Sequence, residues 1–249
     1  MKRDIIVVTA AYGRECVAQR GGQQALLPIV AEAGADGVEI RRELFTAEAL
    51  NHLSETGEAI ARARLKAVYS VPEALFTAQG ELNPHIDRHL AEAQQLGAQR
   101  LKYALGHYPR DVCRQPLQQP LSGQPVELLV ENDQTDDGKL AALEGWFNDG
   151  GGAQNETGMT FDMGNWLWVG DDPLAAAARL SRFVRYIHVK AAVADKSGWR
   201  AIALDEADNL WRETLARLPD DVPRAIEFPL EGNDLVAVTR HYVDLLREV

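Results

Sequence analysis

The sequence predicts a single-domain (β/α)8 barrel over residues 1–249. Short runs rich in β-branched residues alternate with longer segments of helical periodicity, which is typical of a parallel sheet with crossover helices. A chain of 249 residues is a usual size for one such barrel. An open, doubly wound sheet is the rival fold, but no glycine-rich dinucleotide-binding turn follows the first strand. No break in composition marks a second domain.

Eight runs are predicted as strands, and most are continuously apolar because both faces of a parallel sheet are covered. The first run follows a short charged N-terminus and so resembles a signal peptide. It is too short for one, however, and no small-residue cleavage site follows it. The predicted strands are Ile5–Thr9, Gly37–Ile40, Lys66–Ser70, Arg100–Leu105, Glu127–Val130, Met159–Asp162, Arg185–Val189 and Arg224–Phe228.

Several helix ends are recognisable in the segments between these strands. Asn83-Pro84 and Asp172-Pro173 each place a capping side chain before a proline at the first helical position. A helix ending at Gly34 leads into the second strand. A final helix from Asp234 to about Glu248 carries one apolar stripe.

Two connections are predicted to be irregular. Four prolines interrupt the segment after the fourth strand, so Asp111–Gly123 is expected to form a short helix plus a loop. Gly150-Gly151-Gly152 with Asn155 predicts a flexible connection before the sixth strand.

Composition and charge restrict the functional classes. A net charge of −11 and the lack of a basic stripe argue against a nucleic-acid partner. Cys16 and Cys113 fit a reducing compartment better than a disulfide scaffold. No apolar run approaches the ~20 residues that cross a bilayer. We therefore expect a cytoplasmic protein with no membrane partner, and its oligomeric state, a homo-oligomer included, stays open.

Four polar residues stand at the same relative place on the last four predicted strands. They are Glu131, Asp162, His188 and Glu227, and each lies about one βα unit further along the chain than the one before it. Neighbouring strands lie ~4.8 Å apart, so four successive carboxyl ends should bring these side chains together. Active sites of barrels are built at that end.

Electrostatic repulsion indicates what lies among these residues. Three carboxylates about 5 Å apart repel by roughly 3 kcal/mol per pair at an effective dielectric near 20. The total is comparable to the stability of a domain, so the group either takes up protons or holds a cation. Three carboxylates and one imidazole suit Mn²⁺ or Mg²⁺, with Co²⁺, Fe²⁺ or Zn²⁺ as alternatives. Taken singly, Asp162 before Gly164 fits a turn and His188 fits a buried core histidine.

Short motifs surround these four residues, and a further one lies on the second strand. They are Val130-Glu131-Asn132, Phe161-Asp162-Met163-Gly164-Asn165, Ile187-His188-Val189-Lys190, Ile226-Glu227-Phe228 and Gly37-Val38-Glu39-Ile40. The motifs resemble the metal-ligand quartet and the second strand of the xylose-isomerase-like TIM barrel superfamily of sugar phosphate isomerases and epimerases, which includes ketose 3-epimerases, hydroxypyruvate isomerases and inosose-processing enzymes. The resemblance implies a divalent metal ion bound by Glu131, Asp162, His188 and Glu227, with Glu131 and Glu227 also transferring protons.

The sequence departs from the family pattern at three places. Asn165 stands where a histidine is common, and Ala191 where an aspartate often follows the lysine. Tyr69-Ser70 stands where relatives often carry a histidine on the third strand. These departures bear on the substrate and the reaction more than on the metal.

Further polar and aromatic side chains near the strand ends are candidates for contacts with a substrate. Each also has a structural interpretation, as a solvated or a packed side chain. The predicted substrate-binding residues are Lys102, Asn165, Lys190 and Arg200, and weaker candidates are Arg41, Arg42, His107, Trp166 and Trp168.

The favoured hypothesis is a metal-dependent isomerase or epimerase acting on a small sugar or sugar-derived keto compound. The metal would stabilise an enediolate while Glu131 and Glu227 exchange the α-proton. A lyase (dehydratase) acting on a keto-polyol shares the first step and stays open. So do a non-catalytic sugar-binding barrel and an apurinic-site endonuclease-like barrel, although the latter family carries several more histidines.

Overall fold

The computed structural model describes residues 3–109, 123, 125–148, 157–196 and 198–249. Eight parallel strands close into a barrel in the order β1-β10-β7-β6-β5-β4-β3-β2. The predicted (β/α)8 barrel and all eight of its strands are therefore confirmed. The barrel strands are β1 (Ile5–Val8), β2 (Gly37–Arg41), β3 (Lys66–Phe76), β4 (Ala98–Gly106), β5 (Glu127–Glu131), β6 (Thr157–Asp162), β7 (Val184–Val189) and β10 (Arg224–Ile226).

A hairpin that the sequence analysis did not predict follows β7. Its strands β8 (Ala191–Asp195) and β9 (Gly198–Ile202) pair antiparallel and belong to a separate two-stranded sheet. Because the hairpin begins directly after β7, it lies at the carboxyl end of the barrel.

Helices connect the barrel strands along the chain. Within the described residues, none combines the length and the apolar composition needed to cross a bilayer. The helices are α1 (Arg14–Gln19), α2 (Leu27–Glu32), α3 (Leu53–Arg62), α4 (Ile86–Gln95), α5 (Leu140–Trp146), α6 (Asn165–Trp168), α7 (Pro173–Leu180), α8 (Leu210–Leu215) and α9 (Leu235–Glu248).

Most of the predicted helix ends occur as expected. The Asp172 carboxylate accepts a hydrogen bond from the Leu174 amide at the start of α7, and Asp234 caps α9 through the Ala237 amide. Gly34 after α2 has a φ of 84°, a conformation that favours glycine. Helix α4 differs, because it begins at Ile86 rather than at Pro84.

The Asn83 side chain explains why α4 begins late. Its oxygen accepts a hydrogen bond from the His85 amide, which closes a turn before the helix. Its amide group donates to Glu73 and to the Ala74 carbonyl, and so ties the turn to β3. The predicted capping residue therefore forms a turn at the end of a strand instead.

Strand lengths also differ from the prediction. Strand β3 continues to Phe76, with a register shift between Ser70 and Ala74. Pro72 lies in this shift, where a missing backbone N–H is tolerated. The predicted irregular helix in Asp111–Gly123 and the connection at Gly150-Gly151-Gly152 with Asn155 fall outside the described residues, apart from Gly123.

A layer of apolar side chains fills the middle of the barrel. It includes Val68, Leu129, Tyr186 and Ala225, which form one cluster with Ile6 and Val8. Successive side chains on a strand point to opposite faces, so the residue two positions later on each strand also points inward, one layer nearer the carboxyl end. Those residues are Glu131 at the end of β5, His188 on β7 and Glu227 directly after β10. The apolar layer is thus the floor of the candidate site.

The buried carboxylate of Glu92 links helix α4 to the barrel by hydrogen bonds. Glu92 accepts hydrogen bonds from the Tyr69 hydroxyl at 2.6 Å, from Arg42 at 2.8 and 3.1 Å, and from Arg88 at 2.9 Å. Burial alone would raise the pKa of Glu92, but these hydrogen bonds outweigh it and lower the pKa to about 2. The ionised carboxylate therefore links α4 to β3 and to the segment after β2.

Replacing Glu92 by Gln is expected to lower the free energy of unfolding at neutral pH. The variant should also lose less of its stability than wild type as the pH falls. The folded-state pKa lies below the usual ~4.3, so the Glu92 contribution is present above about pH 5 and is lost as the pH falls towards 2. Urea unfolding near pH 7, 5 and 3 should show a difference from wild type that shrinks with decreasing pH. The control is Glu58→Gln, whose exposed carboxylate pairs only with Arg62 among the ion pairs described. A difference that stays constant across this range contradicts the assignment.

Candidate active site

Four polar side chains converge at the carboxyl end of the barrel. One ligand atom from each of Glu131, Asp162, His188 and Glu227 lies within 4.8 Å of every other. Asp162 ends β6 and pairs in register with His188 on β7, while Glu131 ends β5 and Glu227 directly follows β10. Because these four strands are neighbours in the barrel, residues far apart in sequence share one small volume.

The facing atoms of this group surround a common point. His188 Nδ1 lies 2.9 Å from Glu131 Oε1, 2.9 Å from Glu227 Oε2 and 3.9 Å from Asp162 Oδ2. One nitrogen thus faces three carboxylate oxygens, although its single hydrogen can serve only one of them.

The remaining oxygens of the two glutamates are held by cationic side chains. Lys102 donates from Nζ to Glu131 Oε2 at 2.5 Å, and Arg41 donates to Glu227 Oε1 at 3.0 Å. Each glutamate is therefore oriented through one oxygen, and its other oxygen is directed to the common point.

Asp162 and His188 are oriented in the same way. Asp162 Oδ1 accepts hydrogen bonds from the backbone amides of Gly164 and Asn165, each at 2.9 Å. His188 Nε2 lies 2.7 Å from Glu39 Oε2 on β2. All four members of the group thus have one atom fixed by the protein and one atom at the common point.

A lysine ammonium contacts the same inward-facing oxygens. Lys190 Nζ lies 2.8 Å from Asp162 Oδ2 and 2.8 Å from Glu227 Oε2. With Lys102 and Arg41, it supplies positive charge beside the carboxylates. The expectation that only protons or a bound cation relieve their repulsion was therefore incomplete, because resident cationic side chains also do so.

The pKa values reflect this crowding. Burial, with further repulsion from Glu227 and Glu131, raises the pKa of Asp162 to about 7 against the opposing effect of Lys190. Burial alone would lower the pKa of His188, but Glu227 and Glu39 raise it well above its usual value. Burial alone would raise the pKa of Glu131, but Lys102 and His188 lower it to about 2. The pKa values of the two glutamates are thus lowered and those of Asp162 and His188 are raised, so a cation bound among these groups would compete with protons.

The geometry and the donor set fit a divalent metal ion. Neighbouring ligands of an ion with ~2.1 Å bonds in octahedral geometry lie about 3 Å apart, close to the 2.9 Å spacings around His188 Nδ1. Glu131 Oε1 is buried and lies 2.9 Å from His188 Nδ1, but that nitrogen pairs with Glu227 Oε2 and leaves Glu131 Oε1 without a hydrogen bond. Such an oxygen requires a partner, and carboxylates with one imidazole suit Mn²⁺, Mg²⁺ or Zn²⁺.

An open cavity adjoins the group on one side. Its volume is about 300 Å³, and Lys190 and Glu227 form part of its wall together with Tyr12, Phe228 and Glu231. A small polar molecule in this cavity would reach both the Lys190 ammonium and the Glu227 carboxylate.

The structure places the predicted substrate-binding residues at different depths. Lys190 lines the cavity, whereas Lys102 is buried beneath Glu131. Asn165 is also buried, and its side chain contacts the Asn132 carbonyl, Gln134 and Lys190. Arg200 lies on β9 and lines a neighbouring cavity rather than this one.

Only some of the weaker candidates for substrate contacts lie in the site. Of the two arginines after β2, Arg41 belongs to the site, whereas Arg42 binds Glu92 outside the barrel. His107 is exposed and faces Asp137. Trp166 is fully buried against Phe161, and Trp168 packs beside Trp199 of the hairpin.

Two buried residues near the converging group, Glu39 and Tyr186, were not predicted as site residues. Glu39 contacts His188, and the Tyr186 hydroxyl donates to the same Glu39 oxygen at 2.9 Å. One sequence signal was available, because Glu39 interrupts the apolar run Val38–Ile40 of β2. No comparable signal marked Tyr186, since tyrosine is common in strands.

Comparison with known proteins establishes the fold. A zinc-bound IolI protein covers 98% of this chain and of its own, at 10% identity and a TM-score of 0.74. A xylose isomerase domain-containing protein from Salmonella typhimurium covers 100% of this chain and 97% of its own, at 12% identity and a TM-score of 0.68. The fold is that of the xylose isomerase-like TIM barrels. An L-ribulose 3-epimerase shares it, covering 99% of this chain and 95% of its own at 13% identity and a TM-score of 0.65. No protein-family model and no curated protein sequence matches the chain.

Lys102→Met is expected to destabilise the metal-free protein strongly. The change leaves Glu131 and Glu39 buried without the ammonium between them, and breaking a buried ion pair typically costs about 3–5 kcal/mol. Urea unfolding in a chelating buffer measures the loss, and adding Glu131→Gln to the variant should restore part of it. Lys139→Met is the control, because Lys139 pairs with the exposed Asp136. A Lys102→Met variant as stable as wild type refutes the counter-charge role.

Proposed function

We propose that this chain is a divalent-metal-dependent isomerase or epimerase acting on a small sugar or sugar-derived keto compound. The observation that carries the proposal is the convergence of three carboxylates and one imidazole on one point beside an open cavity. Proteins with the same fold include an L-ribulose 3-epimerase and an IolI protein with a bound zinc atom, which agrees with this chemistry.

The metal would be held by Glu131, Asp162, His188 and Glu227. When bound, it supplies a Lewis acid that polarises a substrate carbonyl and stabilises the negative charge that develops on its oxygen. Because the pKa values of Asp162 and His188 are raised, we expect uptake of the ion near neutral pH to release protons.

In this proposal the two glutamates transfer protons on two sides of a substrate. Glu131 ends β5 and Glu227 directly follows β10, and β6 and β7 lie between these strands in the barrel. Both carboxylates are ionised, as a general base must be. One glutamate removes the proton α to the carbonyl, and the other returns a proton to the opposite face or to the neighbouring carbon.

Lys190 must move for this chemistry to occur. Its ammonium contacts Asp162 Oδ2 and Glu227 Oε2, the oxygens that a metal ion would use. The side chain also lines the cavity, so an ammonium released from the carboxylates remains within reach of a substrate oxygen there.

The remaining alternatives differ in how well the site suits them. His188 is the only histidine in the one candidate metal-binding group found among the described residues, which disfavours the zinc cluster of an apurinic-site endonuclease. A lyase acting on a keto-polyol would use the same first proton transfer, and only the product distinguishes it. A turnover panel of sugars and keto acids with added Mn²⁺ therefore includes detection of dehydrated products.

Glu131→Gln and Glu227→Gln are expected to retain much of the bound metal but to lower exchange at the substrate α-carbon by roughly 10²–10⁴-fold. Glutamine keeps an oxygen for the ion but removes the basic carboxylate. His188→Ala should instead lose metal and exchange together, with partial rescue at high metal concentration. Deuterium wash-in and metal content are measured on the same samples.

Glu58→Gln is the matched control for these variants. Glu58 is an exposed carboxylate on α3, and it belongs neither to the converging group nor to the wall of the cavity, so its replacement should leave both metal content and proton exchange close to wild type. If Glu131→Gln and Glu227→Gln both exchange protons at the wild-type rate, the proposed mechanism is wrong.

A further inference from the structure

Glu39 is a carboxylate buried at the centre of the barrel. It lies in the middle of β2, its side chain has no solvent exposure, and it does not line the cavity beside the site. An acidic side chain is rarely buried to this extent unless other groups bind it. Because Glu39 is buried and does not line the cavity, it cannot contact a substrate there. Any effect of Glu39 on the site must act through the residues that it contacts.

The contacts of Glu39 show which neighbour it acts on. Its Oε2 atom lies 2.7 Å from His188 Nε2 and accepts a hydrogen bond from the Tyr186 hydroxyl at 2.9 Å. Its Oε1 atom lies 3.5 Å from the Arg41 guanidinium and 3.8 Å from the Lys102 ammonium. The shortest of these contacts is to the one imidazole of the converging group.

We propose that Glu39 is a positioning residue that accepts the Nε2–H of His188 and so directs His188 Nδ1 to the point shared with the three carboxylates. The inference rests on the proposed function in treating Nδ1 as the metal-binding atom. The Tyr186 hydroxyl holds the Glu39 carboxylate in place by a hydrogen bond. Glu39 on β2 is therefore bonded to two residues of β7, Tyr186 and His188.

The physical basis is the difference between the two ring nitrogens. A metal-binding nitrogen must present its lone pair, and a carboxylate bonded to the N–H of the other nitrogen fixes both the tautomer and the ring orientation. Without that acceptor, the ring can rotate and turn Nδ1 away from the common point. Loss of such a partner typically costs about 10–100-fold in metal affinity.

The first experiment measures metal affinity by chelator competition with Mn²⁺ and Zn²⁺. Glu39→Ala should bind the ion about 10–100-fold more weakly than wild type. Glu39→Gln should lose less, because the amide oxygen still accepts the Nε2–H. Tyr186→Phe should weaken binding in the same direction but less, since it loosens Glu39 without touching His188.

Glu43→Gln is the matched control. Glu43 follows β2 and pairs with Arg41, as Glu39 also does, but no contact with His188 is described for it. Its replacement should leave metal affinity unchanged. A role of Glu39 in stability alone would lower the melting temperature of Glu39→Ala while the folded protein bound metal as tightly as wild type, and that result overturns the proposal.

The second experiment observes the hydrogen bond itself and needs no metal. In protein with ¹⁵N-labelled histidine, the buried Nε2–H of His188 should give a slowly exchanging ring signal, assigned by its absence in His188→Gln. Glu39→Gln should shift this signal, Glu39→Ala should abolish its slow exchange, and Glu43→Gln should do neither. A signal unchanged in Glu39→Ala overturns the proposal.

The two experiments separate this inference from the proposed function. A wild-type protein that binds no metal refutes the proposed function, while the ring signal still tests the bond between Glu39 and His188. A wild-type protein that binds metal with equal affinity in all Glu39 variants leaves the proposed function standing and refutes the positioning role.

Discussion

The site depends on one constraint, which is that each member of the converging group has one atom bound by the protein and one atom left for a common point. Lys102, Arg41, two backbone amides and Glu39 hold the outer atoms of Glu131, Glu227, Asp162 and His188. Such hydrogen-bond and ion-pair partners fix the orientation of each side chain through its outer atom. The inner atom is then left to bind a ligand. A group of free carboxylates would turn apart to reduce their repulsion, whereas these are held facing one another.

The barrel makes that arrangement possible. Strand alternation places the side chains Leu129, Tyr186 and Ala225 one layer below Glu131, His188 and Glu227, so the charged groups lie directly above the apolar floor. The low dielectric of that floor strengthens every charge interaction above it. Burial itself raises the pKa of Asp162, whereas the charge interactions raise the pKa of His188 and lower those of the two glutamates.

The sequence was most informative where a polar residue interrupted a regular pattern. Glu131, Asp162, His188 and Glu227 could be found because each stands at the end of an apolar strand one βα unit after the last. Lys102, Lys190 and Arg41 were candidates for substrate contacts, but their role as counter-charges could not be predicted. They have the same sequence signature as solvated surface cations, and only the register of β2, β4 and β7 turns them inward. The start of α4 was misplaced for a similar reason, since Asn83 reaches back to β3 rather than forward to a helix.

The central claim is that the inward atoms of the group form one cation site, and anomalous diffraction from crystals soaked in Mn²⁺ tests it most directly. The account predicts a single peak within about 2.0–2.5 Å of Glu131 Oε1, Asp162 Oδ2, His188 Nδ1 and Glu227 Oε2. The Lys190 ammonium should have moved away from Asp162 and Glu227. At saturating Mn²⁺, a peak elsewhere, or none with Lys190 still seated between the two carboxylates, would contradict the account.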